Sequence, residues 1–219
     1  MLTASPGSNL EQVRKRIHAS ATLARRAPGK IALIAVSKTR SAAEIEPLIE
    51  AGHEDFGENR VQEAAAKWSA LRAAHTGIRL HMIGRLQSNK AAQAVELFDT
   101  IHSLDRPSLL SALSDAAARA GRFPACFVQV NVGQEEQKGG VTPADLGAFL
   151  AQVRGSPLPL AGLMCIPPAA LEPAPFFAFL SDLARRHDVT GLSMGMSADY
   201  EIAVKLGATH VRVGSALFD

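Results

Sequence analysis

The 219-residue sequence holds only two cysteines, Cys126 and Cys165, and neither stands in a CxxC pair. That excludes a disulfide framework and the common zinc-site spacings, and it fits a chain kept in a reducing compartment, so the cytoplasm is the expected location. Aromatic residues make up 5% of the chain and the formal net charge is +2. With few stacking platforms and little excess positive charge, neither nucleic acid nor an anionic membrane is expected as a partner. No apolar run is long enough to cross a bilayer. A GxGxxG turn after the first strand, the mark of an open dinucleotide-binding sheet, is missing too. With no internal repeat, low-complexity tract or linker, residues 1–219 read as one domain of a size common among α/β barrels.

What the chain does have is an unbroken apolar stretch over residues 31–36, mostly Ile, Leu and Val, followed by Ser37 and Lys38. A run that does not alternate reads as a strand buried on both faces. Lys38 then stands where such a strand ends, either as a solvated amine or as a nucleophile. The first thirty residues are rich in Arg, Ser and Ala, like a transit peptide, but their pattern is that of a folded helix. Ser8 and Glu11 have capping-box spacing, Leu10, Val13, Ile17, Ala21 and Ala24 share a face, and Pro28-Gly29 ends the segment.

Downstream, helix and strand signals alternate. Ser41 and Glu44 form a second capping box ahead of Ile45, Leu48 and Ile49. Strands are expected at 53–56, 79–83, 100–103, 125–132, 158–164, 192–194 and 210–213. Between them helices are expected: one with Val61, Ala65 and Trp68 inward; 88–97; from Pro107 to 120; from the cap Thr142 and Pro143 to 153; 176–183; and from Ser197 to 206. Eight strands joined by helical crossovers define an α/β chain and fit a (β/α)8 TIM barrel, with the N-terminal helix filling the eighth helical place. An open doubly wound sheet is the alternative.

The active rim of such a barrel lies where its strands end. Lys38, Asn59, His81, Met194, Ser197, Arg212, Gly214 and Ser215 all fall at or near those ends. Gly195-Met196-Ser197 and Gly214-Ser215 follow strands seven and eight, the usual phosphate cradle of a barrel. Taken singly, Ser197 is as well explained as a helix cap and Gly214 as a turn residue. Together they raise the case for a phosphorylated ligand, and with it for a Schiff base on Lys38. His81 and Asn59 also have plain structural explanations, as a rim histidine and a helix cap, and Met194 and Met196 fit core packing. Arg212 sits between Val211 and Val213, where a guanidinium needs a buried or ligand partner.

AVSKT at 35–39, FGENRVQEA at 56–64, HMIGRLQSNK at 81–90, GLMCIPP at 162–168, LSMGMSADYEIAVKLGATHVRVG at 192–214 and the closing SALF together resemble the pyridoxal phosphate homeostasis protein family, from the first helix to the last residue. The resemblance implies an alanine-racemase-like (type III) barrel that binds pyridoxal 5'-phosphate. It puts Lys38 at the lysine that holds the cofactor as a Schiff base, and Ser197, Gly214 and Ser215 in the segments that hold its phosphate. Arg212 matches the arginine facing the pyridine nitrogen, which keeps that nitrogen unprotonated and the ring a weak electron sink. Asn59, His81 and Met194 match motif positions near the cofactor. Ser41, Cys165 and Asp219 depart from the commoner proline, threonine and glycine of the family.

The racemases and decarboxylases of this barrel type add a β-rich domain carrying a catalytic tyrosine, and this sequence leaves no room for one. Tyr200 is its one tyrosine, and no base is evident to work opposite Lys38. The favoured expectation is therefore a non-catalytic carrier that buffers pyridoxal phosphate and releases it to apo-enzymes, Lys90 and Lys138 being candidate acceptors in transit. A weak racemase or β-eliminase is the alternative, and a cofactor-free Schiff-base aldolase a third. Nothing in the sequence demands a partner subunit, so a monomer is expected.

Overall fold

The 31–36 run forms β1 (Ala32–Val36), buried at its centre as its unbroken apolar character requires. The computed structural model describes residues 6–219; the first five residues lie outside it. Seven further strands follow: β2 (Asp55–Glu58), β3 (Arg79–Met82), β4 (Thr100–Leu104), β5 (Ala125–Gln129), β6 (Leu160–Met164), β7 (Leu192–Ser193) and β8 (His210–Val213). All neighbours are parallel and in sequence order, and β8 pairs back onto β1, with Leu33 opposite Val211 and Ile34 opposite Arg212. The expected (β/α)8 barrel is the one found, and the open sheet is excluded.

The helices are α1 (Pro6–Leu23), α2 (Ala42–Glu50), α3 (Val61–Ala74), α4 (Ala91–Leu97), α5 (Pro107–Ala120), α6 (Leu146–Arg154), α7 (Ala174–Arg186), α8 (Tyr200–Lys205) and a short α9 (Ser215–Phe218). α1 packs against α8, α9 and α2, the place an eighth barrel helix would take. Leu10, Val13, Ile17 and Ala21 form its buried stripe. Trp68, Phe56, Phe98 and Phe177 fill the layer between sheet and helices.

Several boundaries differ from the sequence pattern. Among the described residues α1 runs over Pro6–Leu23, so Ser8 lies inside the helix and Ala24 past its end. β2 starts two residues later than the expected strand at 53–56. Ala64, not Ala65, faces inward on α3, since the stripe runs Val61, Ala64, Trp68, Leu71. Thr142 does cap, accepting the Asp145 N–H at 3.2 Å, but it closes a turn and α6 begins only at Leu146. α8 likewise begins at Tyr200 rather than Ser197.

The barrel lumen is more polar than the branched aliphatic filling usual in this fold. His102 stacks on Phe127 with ring centroids 4.4 Å apart, His81 and His210 flank it, and Ser193 and Arg212 are buried beside them.

Candidate functional site

At the C-terminal rim the strand ends surround a cleft of about 500 Å³. Its walls include Lys38, Asn59, Ser197, Arg212, Gly214 and Ser215, six of the eight residues expected there, with Val36, Ile83, Ile166 and Met196 as apolar surface. His81 and Met194 are not among them. Met194 is wholly buried in the core. His81 lies within β3, 4% exposed, with both ring nitrogens engaged away from the cleft. Met196, by contrast, is 40% exposed on the cleft rather than packed in the core.

Lys38 lies two residues past β1 and is exposed, and among the described residues its amine has neither hydrogen bond nor ion pair. The loop that carries it is anchored from beneath. Glu58, fully buried at the end of β2, accepts from the Ser37 hydroxyl at 2.7 Å, from the Trp68 indole N–H at 2.9 Å and from the Lys67 ammonium at 2.7 Å. Lys67 also donates to the Ser37 carbonyl at 2.7 Å and the Arg40 carbonyl at 3.1 Å, one on either side of Lys38. Thr39 is held at a left-handed φ of 63°, rare for a β-branched residue, with its N–H on Glu63 at 2.6 Å. A free amine on a loop fixed at both ends is presented rather than trailing.

Across the cleft, Gly195 takes φ +94°, and a Cβ there would come within 2.5 Å of Ala203 Cβ. The loop after β7 therefore lies tight on α8, and the Ser197 Oγ accepts the N–H groups of Gly214 at 3.1 Å and Ala216 at 3.5 Å. Two backbone donors converging on one oxygen form the kind of cradle an oxyanion takes. Gly84 is needed at the floor, where a Cβ would lie 2.3 Å from the Asn59 carbonyl oxygen.

Arg212 is 4% exposed, and its guanidinium donates to Ser193 Oγ at 2.7 Å and to the Cys165 carbonyl at 3.0 Å. Among the described residues no carboxylate comes within ion-pair distance of it. Burial lowers its pKa from the usual guanidinium value. A buried cation without a counter-ion on a cleft wall is costly unless a ligand shares the site. Cys165, the departure nearest the site, contributes its backbone oxygen, and its thiol is pushed up to about 12 by burial. Asp219 pairs with Arg40 and Ser41 caps α2, so both outlying departures have local partners. Lys138 is tied to Glu135 at 2.6 Å and to the Pro167 carbonyl at 3.0 Å, while Lys90 lines a neighbouring polar cavity with Arg60 and Arg85.

Sequence reasoning missed the Ser37–Glu58–Lys67–Trp68 network and the buried His102 and Ser193. A polar residue inside an otherwise apolar strand was the available signal for the last two.

A parallel barrel with an amine, an oxyanion cradle and a buried arginine at its C-terminal rim defines the class. The family model "Alanine racemase, N-terminal domain" matches residues 9–219. The Clostridium difficile 630 alanine racemase shares this fold at TM-score 0.74 and 14% identity, over 97% of this chain and 56% of that one. Nearer relatives narrow the class. The pyridoxal phosphate homeostasis proteins of Escherichia coli K12 and Pseudomonas aeruginosa PAO1 are 40% and 43% identical, each over 96% of this chain and over 94% and 93% of their own. PipY of Synechococcus elongatus PCC7942, solved with PLP bound, is 40% identical, with TM-score 0.80 over 94% of this chain and all of that one. The chain belongs to the pyridoxal phosphate homeostasis protein family.

Proposed function

We propose that this chain binds pyridoxal 5'-phosphate and serves intracellular homeostasis of that cofactor, holding it on Lys38 and passing it to apo-enzymes. The observation that supports this best is the meeting of three complementary groups in one cleft: the free Lys38 amine, the amides of Gly214 and Ala216 around Ser197 Oγ, and the buried Arg212. Bound there, the cofactor supplies an aldehyde that condenses with a primary amine. Lys38 is that amine. Ser197, Gly214 and Ser215 hold the phosphate, Arg212 faces the ring nitrogen, and Asn59 closes the floor. His81 and Met194 act from behind the cleft wall rather than by contact.

The carrier reading is favoured over a racemase because Tyr200, the chain's one tyrosine, is buried at the start of α8 and does not line the cleft. Among the described residues no helix is long and apolar enough to cross a membrane. A monomer working in the cytoplasm is part of the proposal.

The test is the absorption spectrum of the protein with pyridoxal phosphate, before and after borohydride, followed by peptide mapping. A yellow band whose reduced adduct maps to Lys38, and is lost in Lys38→Ala, is the expected result. Label scattered over surface lysines, or no band, would overturn the proposal.

A further inference from the structure

A continuous hydrogen-bonded chain crosses the barrel from one mouth to the other. At the N-terminal mouth, beside a cavity of about 630 Å³, Asp55 is gripped by the Arg79 fork at 2.7 and 2.8 Å. Asp55 Oδ1 lies 3.0 Å from His81 Nε2. His81 Nδ1 lies 3.0 Å from His102 Nε2, His102 Nδ1 lies 2.8 Å from Ser193 Oγ, and Arg212 donates to that same oxygen at 2.7 Å. His81, His102, Ser193 and Arg212 are all buried.

With both imidazoles neutral, the two ends dictate the direction of every bond. Burial by itself would raise the Asp55 carboxyl, but the Arg79 fork and His81 outweigh it and hold the group well below the usual carboxylate range. Asp55 can then only accept, whereas a guanidinium can only donate. So His81 Nε2–H donates to Asp55, His102 Nε2–H donates to His81 Nδ1, the Ser193 hydroxyl donates to His102 Nδ1, and Arg212 donates to Ser193 Oγ. Each imidazole then carries its proton on Nε2, and every ring nitrogen along the line has a partner. The Phe127 ring, 7° from parallel with His102, fixes the plane of the central member.

We infer that Asp55, His81, His102 and Ser193 are positioning residues whose one-way hydrogen-bonded chain clamps the Arg212 guanidinium, with the Cys165 carbonyl as its second anchor, in the orientation that recognises the ring of the ligand. The ring-recognising half of this inference rests on the function proposed above. The chain explains why a lumen normally filled by aliphatic side chains contains His81, His102 and Ser193. It also ties a cleft residue to a carboxylate at the opposite mouth through groups that never touch the ligand.

The clamp itself is tested without ligand. In ¹⁵N-histidine-labelled protein, long-range ¹H–¹⁵N correlations are expected to show His81 and His102 as Nε2–H tautomers. In Ser193→Ala the His102 Nδ1 signal is expected to move and the Arg212 Nε–H to exchange faster. A wild-type His102 carrying its proton on Nδ1 would overturn the inference whatever the variant does. Ring recognition is read with pyridoxal phosphate and inorganic phosphate as probes. Ser193→Ala is expected to bind pyridoxal phosphate about tenfold more weakly, the equivalent of one lost orienting hydrogen bond. Its absorption band should shift, its affinity for inorganic phosphate should stay unchanged, and Ser193→Thr should restore both properties. A Ser193→Ala protein that binds and absorbs like the wild type would also overturn the inference. A wild type that binds no pyridoxal phosphate would instead defeat the proposed function, leaving the ligand-free signals to decide the clamp.

Discussion

The buried Glu58–Lys67 pair is the most exacting place to perturb this protein. Glu58 is 0% exposed and Lys67 9%. All three of the donors to Glu58 converge on Oε1, while Oε2 is buried without a partner. Glu58→Gln keeps a carbonyl oxygen for Ser37 and Trp68 but leaves the Lys67 ammonium without its near counter-ion. Glu63, 3.8 Å away, compensates only in part. Lys67→Met does the converse, and it also releases the two carbonyls flanking Lys38. Removing one member of a buried pair costs about 3–5 kcal/mol, whereas removing both is often close to neutral. Each single variant should lose about 3 kcal/mol, a fall in Tm of roughly 6–12 °C for a chain of this size. The double variant should lose about as much as one single, giving a coupling of about 2–3 kcal/mol. The penalty for an amide nitrogen in place of Oε2 appears in both arms of the cycle and cancels. Urea unfolding of the four proteins, at constant m-value, measures these quantities. A double variant whose loss equals the sum of the singles within about 0.5 kcal/mol would refute the pairing.

Acid should weaken the fold in two stages. Burial pushes His53 and His210 down from 6.5 to about 4, and His102 well below 6.5, so the unfolded chain binds more protons than the native one in that window. The resulting stability is fully present above about pH 7 and drains away as pH falls from 6.5 towards 4. The second stage comes below 4.5, where Glu44, held at about 2 by its hydrogen bonds to Ser41 and by Arg40, and the depressed Asp55 lose their contributions. A urea midpoint that is flat between pH 7 and pH 5 would contradict the first stage. Cys126 and Cys165 are fully buried, with thiols pushed up to about 12. A thiol reagent at pH 8 should modify neither in the native protein and both in denaturant; one rapid native equivalent would show that a thiol is accessible.

The elements most legible in the sequence were those whose signals are local. α5 runs from Pro107 to Ala120 as read, because proline at the first position and Gly121 in a left-handed conformation after the last punctuate it from both ends. The Ser41–Glu44 capping box is formed as spaced, with the Ser41 N–H and hydroxyl both on Glu44 Oε2 at 2.8 Å. The helix starts at Thr142 and Ser197 failed for a shared reason. Each hydroxyl has a better use than capping an adjacent helix: one closes a turn, and the other accepts amides from the neighbouring segment after β8. Six of the expected cleft residues come together because, in a barrel, the end of a strand already specifies a position. His81 eluded that logic, since neighbouring residues of a strand face opposite sides of the sheet and sequence order does not say which way a ring nitrogen points.

The seam between β1 and β8 has a bearing on how the protein is made. Lys38 follows the first strand, whereas Arg212, Gly214 and Ser215 arrive with the last, nearly the whole chain later. Closing so non-local a contact is an intrinsically slow step in folding. A nascent chain on the ribosome thus displays its lysine long before it owns an arginine or an amide cradle to go with it. An unfinished copy has no phosphate cradle or buried arginine with which to retain a ligand, and the cleft comes into being only as the ring shuts.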